Sequence, residues 1–309
     1  MGVNNRFMST NLKTSDNLSY SYRNKTMFGG PAIVRQSNQI RPSPWPFVVS
    51  TGVFAGFTSF LLIFHKYELL GNVVPYALIL SFVGLLLWWK DVIRESSFLG
   101  NYTVQIRTSL RLGFQLFLVS ELMLFVTYFW AFFHFRLSPA IELGGEWPPY
   151  GLTPIWPFGL VLINTALLVA SGMTVEFARR EFSSNNRKYG LIALGVAISE
   201  AIVFTVIQGV EYFLAPFDLS DGVFGSAFFS ITGLHAAHVI LGTLLLIVSF
   251  YRLMAGHFSR DHALIFLFAT WYWHFVDIIW ILVVLGVYMT SIDWTFVNFL
   301  PLPVTNEAV

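Results

Sequence analysis

Trp271-Tyr272-Trp273-His274-Phe275-Val276-Asp277-Ile278-Ile279-Trp280 is the stretch on which the fold turns. It sits inside an apolar run over 264–290, and about 20 such residues in a helix cross the ~30 Å of bilayer hydrocarbon. A carboxylate in hydrocarbon is costly, so Asp277 is kept for a buried partner or for function. A spacing of three sets His274 and Asp277 on one helical face, where imidazole N–H can donate to carboxylate. The pair therefore reads either as part of a metal or redox site or as a hydrogen-bonded brace within the helix.

Moving outward, further runs of spanning length occur at 47–64, 73–89, 112–133, 155–175, 191–213 and 226–250, which with 264–290 makes seven. Only helices or closed barrels satisfy the backbone in lipid, and barrel strands are far shorter, so the expected fold is an all-α membrane protein with seven transmembrane helices. Composition agrees. The 309 residues are 55% hydrophobic and only 11% charged, with a mean hydropathy of +0.65, against about 25% charged in soluble domains. There is no cysteine, which excludes disulfides, thiolate ligands, iron–sulfur clusters and a dinuclear copper–thiolate centre. A net charge of +1 carries no sign of a nucleic-acid partner.

Charge placement sets the orientation. Sixteen of the 18 basic residues fall on the N-terminal arm and on alternate connections, namely Lys90 to Arg111, Arg179 to Lys188, and Arg252 with Arg260. The positive-inside rule then puts the N-terminus inside and the C-terminus outside. The opposite loops carry Glu142, Glu146, Asp218, Asp221 and Asp293. This divides the chain into a polar arm over 1–46 on the inner side, a helical domain over 47–292 and an outer tail over 293–309. The arm is acid-poor and contains Ser and Arg, as organelle transit peptides do, but lacks an apolar signal-peptide core and reads as a solvent-side arm. No internal repeat is evident, which weighs against a two-fold repeated transporter.

Several polar residues lie within the runs. Glu121 is mid-span, where it suits a proton relay, a water-mediated lipid headgroup contact, or a hydrogen bond to an adjacent helix. Glu200 is also near mid-span, while Glu176 and Glu211 sit towards run ends, where snorkelling to the boundary is expected. His235 and His238 share a face, as half a metal or haem site would require. However, Gly233, Ala236, Ala237 and Gly242 around them favour close helix packing and hydrogen bonds between helices. His134 reads as an interfacial residue. Trp88-Trp89-Lys90-Asp91-Val92-Ile93-Arg94-Glu95 suits either interfacial anchoring or a lipid phosphate site centred on Arg94. Nucleotide-binding glycine loops, nucleophile elbows and zinc-protease motifs are missing.

In order along the chain, these motifs resemble subunit III of cytochrome c oxidase, in the haem–copper oxidase family. The resemblance runs from about Pro42 to Ile292. It is carried by Arg41-Pro42-Ser43-Pro44-Trp45-Pro46, Trp88 to Glu95, Ser120-Glu121, Phe129 to His134, Glu142 to Pro149, Gln208 to Tyr212 with Ala215-Pro216-Phe217, Ser220 to Ser226, Thr232 to Ile240, and Trp271 to Trp280.

The resemblance implies two helices leaning away from five, with phospholipids such as cardiolipin, phosphatidylglycerol or phosphatidylethanolamine in a V-shaped cleft. It implies no metal or other cofactor in this chain, because haem and copper belong to the partner subunits. Subunits I and II, which reduce oxygen with electrons from cytochrome c and pump protons, are the implied partners, with accessory subunits. Subunit III would stabilise the complex and support proton uptake. By motif position, Glu121 matches the family's buried third-helix glutamate, and Trp89, Arg94, Glu95, His238, Arg252 and His257 fall where relatives contact lipid. His274 and Asp277 then read as a structural buried pair. The implied location is the mitochondrial inner membrane with the N-terminus in the matrix, or else a bacterial plasma membrane. The chain departs from the pattern in its long arm, in Glu200 where an apolar residue is usual, and in Ala255-Gly256 near a common lysine position. A quinol oxidase subunit III and a proton-coupled transporter using Glu121, Glu200 and Asp277 are the competing readings.

Overall fold

The computed structural model describes residues 42–66, 73–97, 102–141, 144–258 and 263–292. Most of the expected N-terminal arm, the tail over 293–309, and Arg41, Glu142, Arg260 and Asp293 lie outside the described residues. Among the described residues the chain is helical without strands, and its seven long helices are all apolar enough to cross a membrane. They are α1 (Trp45–Phe64), α2 (Val73–Ser97), α3 (Val104–Leu137), α4 (Leu160–Ser183), α5 (Arg187–Leu214), α6 (Gly222–Met254) and α7 (Leu264–Val283).

Several helices outrun their apolar spans. The expected second run ends at 89, yet α2 continues to Ser97 and carries the Trp88–Glu95 motif in its last turns. The third starts at 112, yet α3 begins at Val104, where the Thr103 side chain accepts from Ile106 N–H. Hydropathy marks the stretch in hydrocarbon, while i→i−4 bonding carries on into the interface. Proline sets the opposite limit. The fourth run starts at 155, but Pro157 keeps Trp156 before it out of the helical region and Gly159 is itself non-helical, so α4 starts only at Leu160. Beyond Val283, α7 widens into a π-helical turn over Val284–Tyr288 and closes with a 3₁₀ turn over Met289–Ser291.

The helices pack in two groups. The long contacts of α1 and α2 are with each other. A Cβ at Gly52 would stand 2.4 Å from Ser81 Oγ, so only glycine permits that approach. The other five form a bundle in which α6 and α7 pack together, α4 lies against α5 and α7, and α3 meets α6 and α7. Its centre is aromatic, with Tyr272, Trp273, Trp280, Phe204, Phe224 and Tyr288 all buried. Gly242 brings α6 onto the Trp273 ring, which a Cβ there would meet at 2.9 Å. Large apolar side chains such as Phe54, Leu78, Val119 and Leu244 point outward, as a lipid-facing surface requires.

At the helix ends that carry the basic residues, polar links tie neighbours together. Trp45 Nε1 donates to Asp91 Oδ2 at 2.6 Å, joining α1 to α2. Arg187 Nη2 donates to the carbonyls of Leu253 and Met254, holding the start of α5 against the end of α6.

Candidate functional site

The polar groups inside the bundle fall into three places, of which the first joins α3 to α6. Glu121 Oε2 lies 2.9 Å from His238 Nε2, and His238 Nδ1 lies 2.8 Å from the Leu234 carbonyl. A carbonyl can only accept, so Nδ1 carries a proton. In a neutral imidazole Nε2 is then an acceptor, and Glu121 must supply the hydrogen. In an imidazolium Nε2 donates to an ionised carboxylate instead. In both forms the pair holds a single proton between Oε2 and Nε2. Phe125 flanks the imidazole at 5.0 Å and Tyr272 stacks on it at 6.2 Å, which fixes the ring. Glu121 keeps 23% of its side chain exposed, against 10% for His238, so the carboxyl end of the pair is the one reachable from outside.

The hydrogen bond expected between helices is thus made by His238 but not by His235. The His235 ring is fully buried, stacks on Trp280 at 5.1 Å and meets Phe204 edge-on at 6.2 Å, with neither nitrogen hydrogen-bonded. The two imidazoles serve different neighbours and do not converge. Among the described residues, no three His, Cys, Asp or Glu side chains group closely enough to hold a metal ion.

The second place is the opening stretch. His274 Nδ1 and Asp277 Oδ2 face each other at 3.5 Å, a looser pairing than the expected brace. Of the pair expected to be buried, Asp277 is 12% exposed and His274 39% exposed, so the carboxylate is the more enclosed of the two. The cause is Gly172 on α4. A Cβ there would stand 2.2 Å from Asp277 Oδ2, so the carboxylate tucks into the space left by the missing side chain. The imidazole instead opens onto a groove of about 470 Å³ between α4 and α7. Glu176 lines the same groove and is held by Arg179 at 2.6 and 2.7 Å and by Arg180 at 3.0 Å.

The third place was not foreseen. Glu211, expected to snorkel at a helix end, is only 3% exposed. Its Oε1 accepts from the Tyr288 hydroxyl and from Gln208 Nε2 at 3.4 Å, while Asn164 Nδ2 donates to Gln208 Oε1 at 3.3 Å. Tyr288 reaches this cluster from the π-helical turn after α7. The available signal was Gln208 three residues before Glu211, a second polar group on the same face of an apolar helix. Glu200 is half-buried, and its Oε2 has no hydrogen-bond partner among the described residues.

The remaining candidates sit at the basic helix ends. Trp89, Arg94 and Glu95 occupy the last turns of α2, with Trp89 40% exposed and Arg94 exposed. The Glu95 charge and burial together push the Tyr102 hydroxyl above its usual pKa, burial being the larger cause. Arg252 closes α6, buried, with its guanidinium 4.6 Å from the Phe258 ring centre, and His257 follows exposed. His238, grouped with them by motif, has both nitrogens engaged within the bundle.

The sequence profile described as "Cytochrome c oxidase subunit III" matches residues 37–292. The chain belongs to the cytochrome c oxidase subunit III family. It is similar to proteins named cytochrome c oxidase subunit 3 from three distant organisms. Identity is 43% over 249 residues for Emericella nidulans, covering 81% of this chain and 93% of that protein. For Arabidopsis thaliana it is 41% over 249 residues, covering 81% and 94%. For Prototheca wickerhamii it is 40% over 249 residues, covering 81% and 95%. The matched region takes in α1 to α7 and every polar site described above. The Glu121–His238 pair links α3 to α6 and keeps its carboxyl end partly exposed. The Glu211 cluster is sealed inside the five-helix bundle.

Proposed function

We propose that the chain is the non-catalytic subunit III of a cytochrome c oxidase. In this reading it stabilises the complex, holds phospholipid between the two-helix and five-helix groups, and supports proton uptake while subunits I and II reduce oxygen. The observation that carries the proton role is the Glu121–His238 pair, which holds one proton and presents its carboxyl end outward. Exchange of that proton with water and with the partner subunits is the chemistry this chain contributes. Electron transfer uses the haem and copper of the partners.

Trp89, Arg94, Glu95, Arg252 and His257 are assigned to lipid headgroups at the basic helix ends, where guanidinium groups bind phosphate oxygens. The chain is assigned to the mitochondrial inner membrane, where the charge pattern supports residues 1–46 on the matrix side and 293–309 on the outer side. High hydropathy hinders import through membranes, which fits synthesis within the organelle. The deciding experiment is purification of the chain in mild detergent. Co-purification with haem-bearing partners that absorb in the visible is expected, and a chain that runs alone without such absorbance would end this reading.

A further inference from the structure

We propose that the groove between α4 and α7 seats a transmembrane helix of a partner subunit, one that presents a hydrogen-bond donor to the His274–Asp277 pair. The inference rests on the chain's place in an oxidase complex, proposed above, and adds which face of the bundle meets a partner and with what chemistry.

The pair stands at the wrong depth for solvent. His274 comes ten residues after Leu264, where α7 begins, which is about 15 Å of helix and so half of the ~30 Å of hydrocarbon. Its imidazole is nevertheless 39% exposed and lines the groove. Asp277 lines the groove too, and its Oδ1 is buried without a hydrogen-bond partner among the described residues. Asp277 Oδ2 faces His274 Nδ1 at 3.5 Å. A neutral imidazole whose Nδ1–H is turned to that carboxylate keeps Nε2 as an acceptor. The pair as a whole therefore lacks a donor. Polar atoms left open to hydrocarbon are costly, and the surface that carries them calls for a polar partner.

The rest of the lining limits what that partner is. Val169, Met173, Phe177 and Ile281 make the walls apolar, and at this depth a protein segment keeps its backbone satisfied only as a helix. A lipid tail would cover the same walls but brings no donor, and its headgroup lies about 15 Å away at the interface. Towards the C-terminal end of α4 the charge of the groove changes sign. Glu176 is shared by Arg179 and Arg180, so two guanidiniums against one carboxylate leave a positive charge over. The Arg180 side chain is 72% exposed and lines the groove. Arg180 lies eight residues beyond Gly172, against which Asp277 rests, a separation of about 12 Å along α4. The complementary helix thus carries a donor at mid-depth and a carboxylate about two turns further along, opposite Arg180.

The test is photocrosslinking of the assembled complex in its native membrane. Met173, 66% exposed and part of the groove wall, is replaced by benzoylphenylalanine, and the adducts are mapped by mass spectrometry after purification. The expected adduct lies in a transmembrane helix of a co-purifying subunit, with Ser, Thr, Tyr, Trp, Lys or Arg on the crosslinked face. Adducts only with lipid, with a second copy of this chain, or with a helix that offers no donor overturn the proposal. In addition, His274→Phe/Asp277→Leu should release the chain from the detergent-solubilised complex about tenfold faster, because loss of a buried polar contact acts mainly on dissociation. An unchanged release rate counts against the pair as the anchor and overturns the proposal. If the double variant does not accumulate, the Met173 crosslink, made in a chain with the pair intact, decides alone. Absence of any haem-bearing partner ends the oxidase reading. A complex that keeps its haem-bearing partners but gives only lipid adducts at Met173 ends this inference and leaves that reading standing.

Discussion

Two glutamates, Glu121 and Glu211, lie within the same five-helix bundle and are held in opposite ways. Glu211 is enclosed by a tyrosine, a glutamine and an asparagine, groups that keep their protons under ordinary conditions. Glu121 is paired with a histidine, the side chain whose ordinary pKa lies nearest neutrality, and it retains a path to the outside. Burial of a carboxyl is therefore not what marks a proton-handling site here. The partner and the access do: the same residue type is enclosed as a strut on α5 and, in the function proposed above, would hold an exchangeable proton on α3.

The strongest challenge to this contrast is Glu211→Ala. It removes the acceptor of two buried donors, Tyr288 O–H and Gln208 N–H, and should cost about 2–4 kcal/mol of stability. Thermal denaturation of the complex would show it, and an unchanged midpoint would mean the cluster is not a strut. Glu121→Gln should do the reverse. The amide can still donate to His238 Nε2, so assembly should persist. It carries no exchangeable acid proton, and proton uptake should slow about tenfold, equivalent to about 1.4 kcal/mol on the barrier. Unchanged turnover and unchanged inactivation rate in Glu121→Gln would reduce that carboxyl to packing.

His238→Phe keeps an aromatic body against Phe125 and Tyr272 and removes the second member of the pair. Its kinetic defect should match that of Glu121→Gln, and the double variant should be no worse than either alone. Additive defects would show that the two residues act apart. Gly172→Ala should cost about 1–3 kcal/mol by overpacking, because the new methyl displaces the Asp277 carboxylate. Smallest in its effect on assembly is Arg94→Ala, which should lose bound phospholipid by mass spectrometry with little change in stability. Full lipid retention would remove Arg94 from the headgroup contacts.

The seven spans were legible because hydropathy and alternating charge report the same thing, the passage of each segment through lipid. Helix ends were less so. The Pro157–Gly159 stretch delays α4, and the Trp88–Glu95 motif continues α2 past the apolar run that ends at 89. Local spacing showed that Glu121 sits mid-span and that His235 and His238 lie three apart. It could not show which imidazole would find the carboxyl, since Glu121 and His238 are 117 residues apart in the chain. The role of Gly172 was likewise hidden, because a glycine in an apolar run gives no sign of the aspartate it admits. The Glu211 cluster escaped for a geometric reason. Its donor, Tyr288, closes a turn whose hydrogen bonds span five residues, so regular helical counting from Trp280 misplaces it.

That widened turn over Val284–Tyr288 also makes the end of α7 sensitive to length more than to composition. A single-residue deletion there would restore ordinary helical winding and swing Tyr288 away from Glu211, even if every remaining side chain were kept. A saturation scan along α7 should accordingly record intolerant positions at regular helical intervals up to Val283 and then a break in phase. Shortening the turn by one residue should be more damaging than most replacements within it.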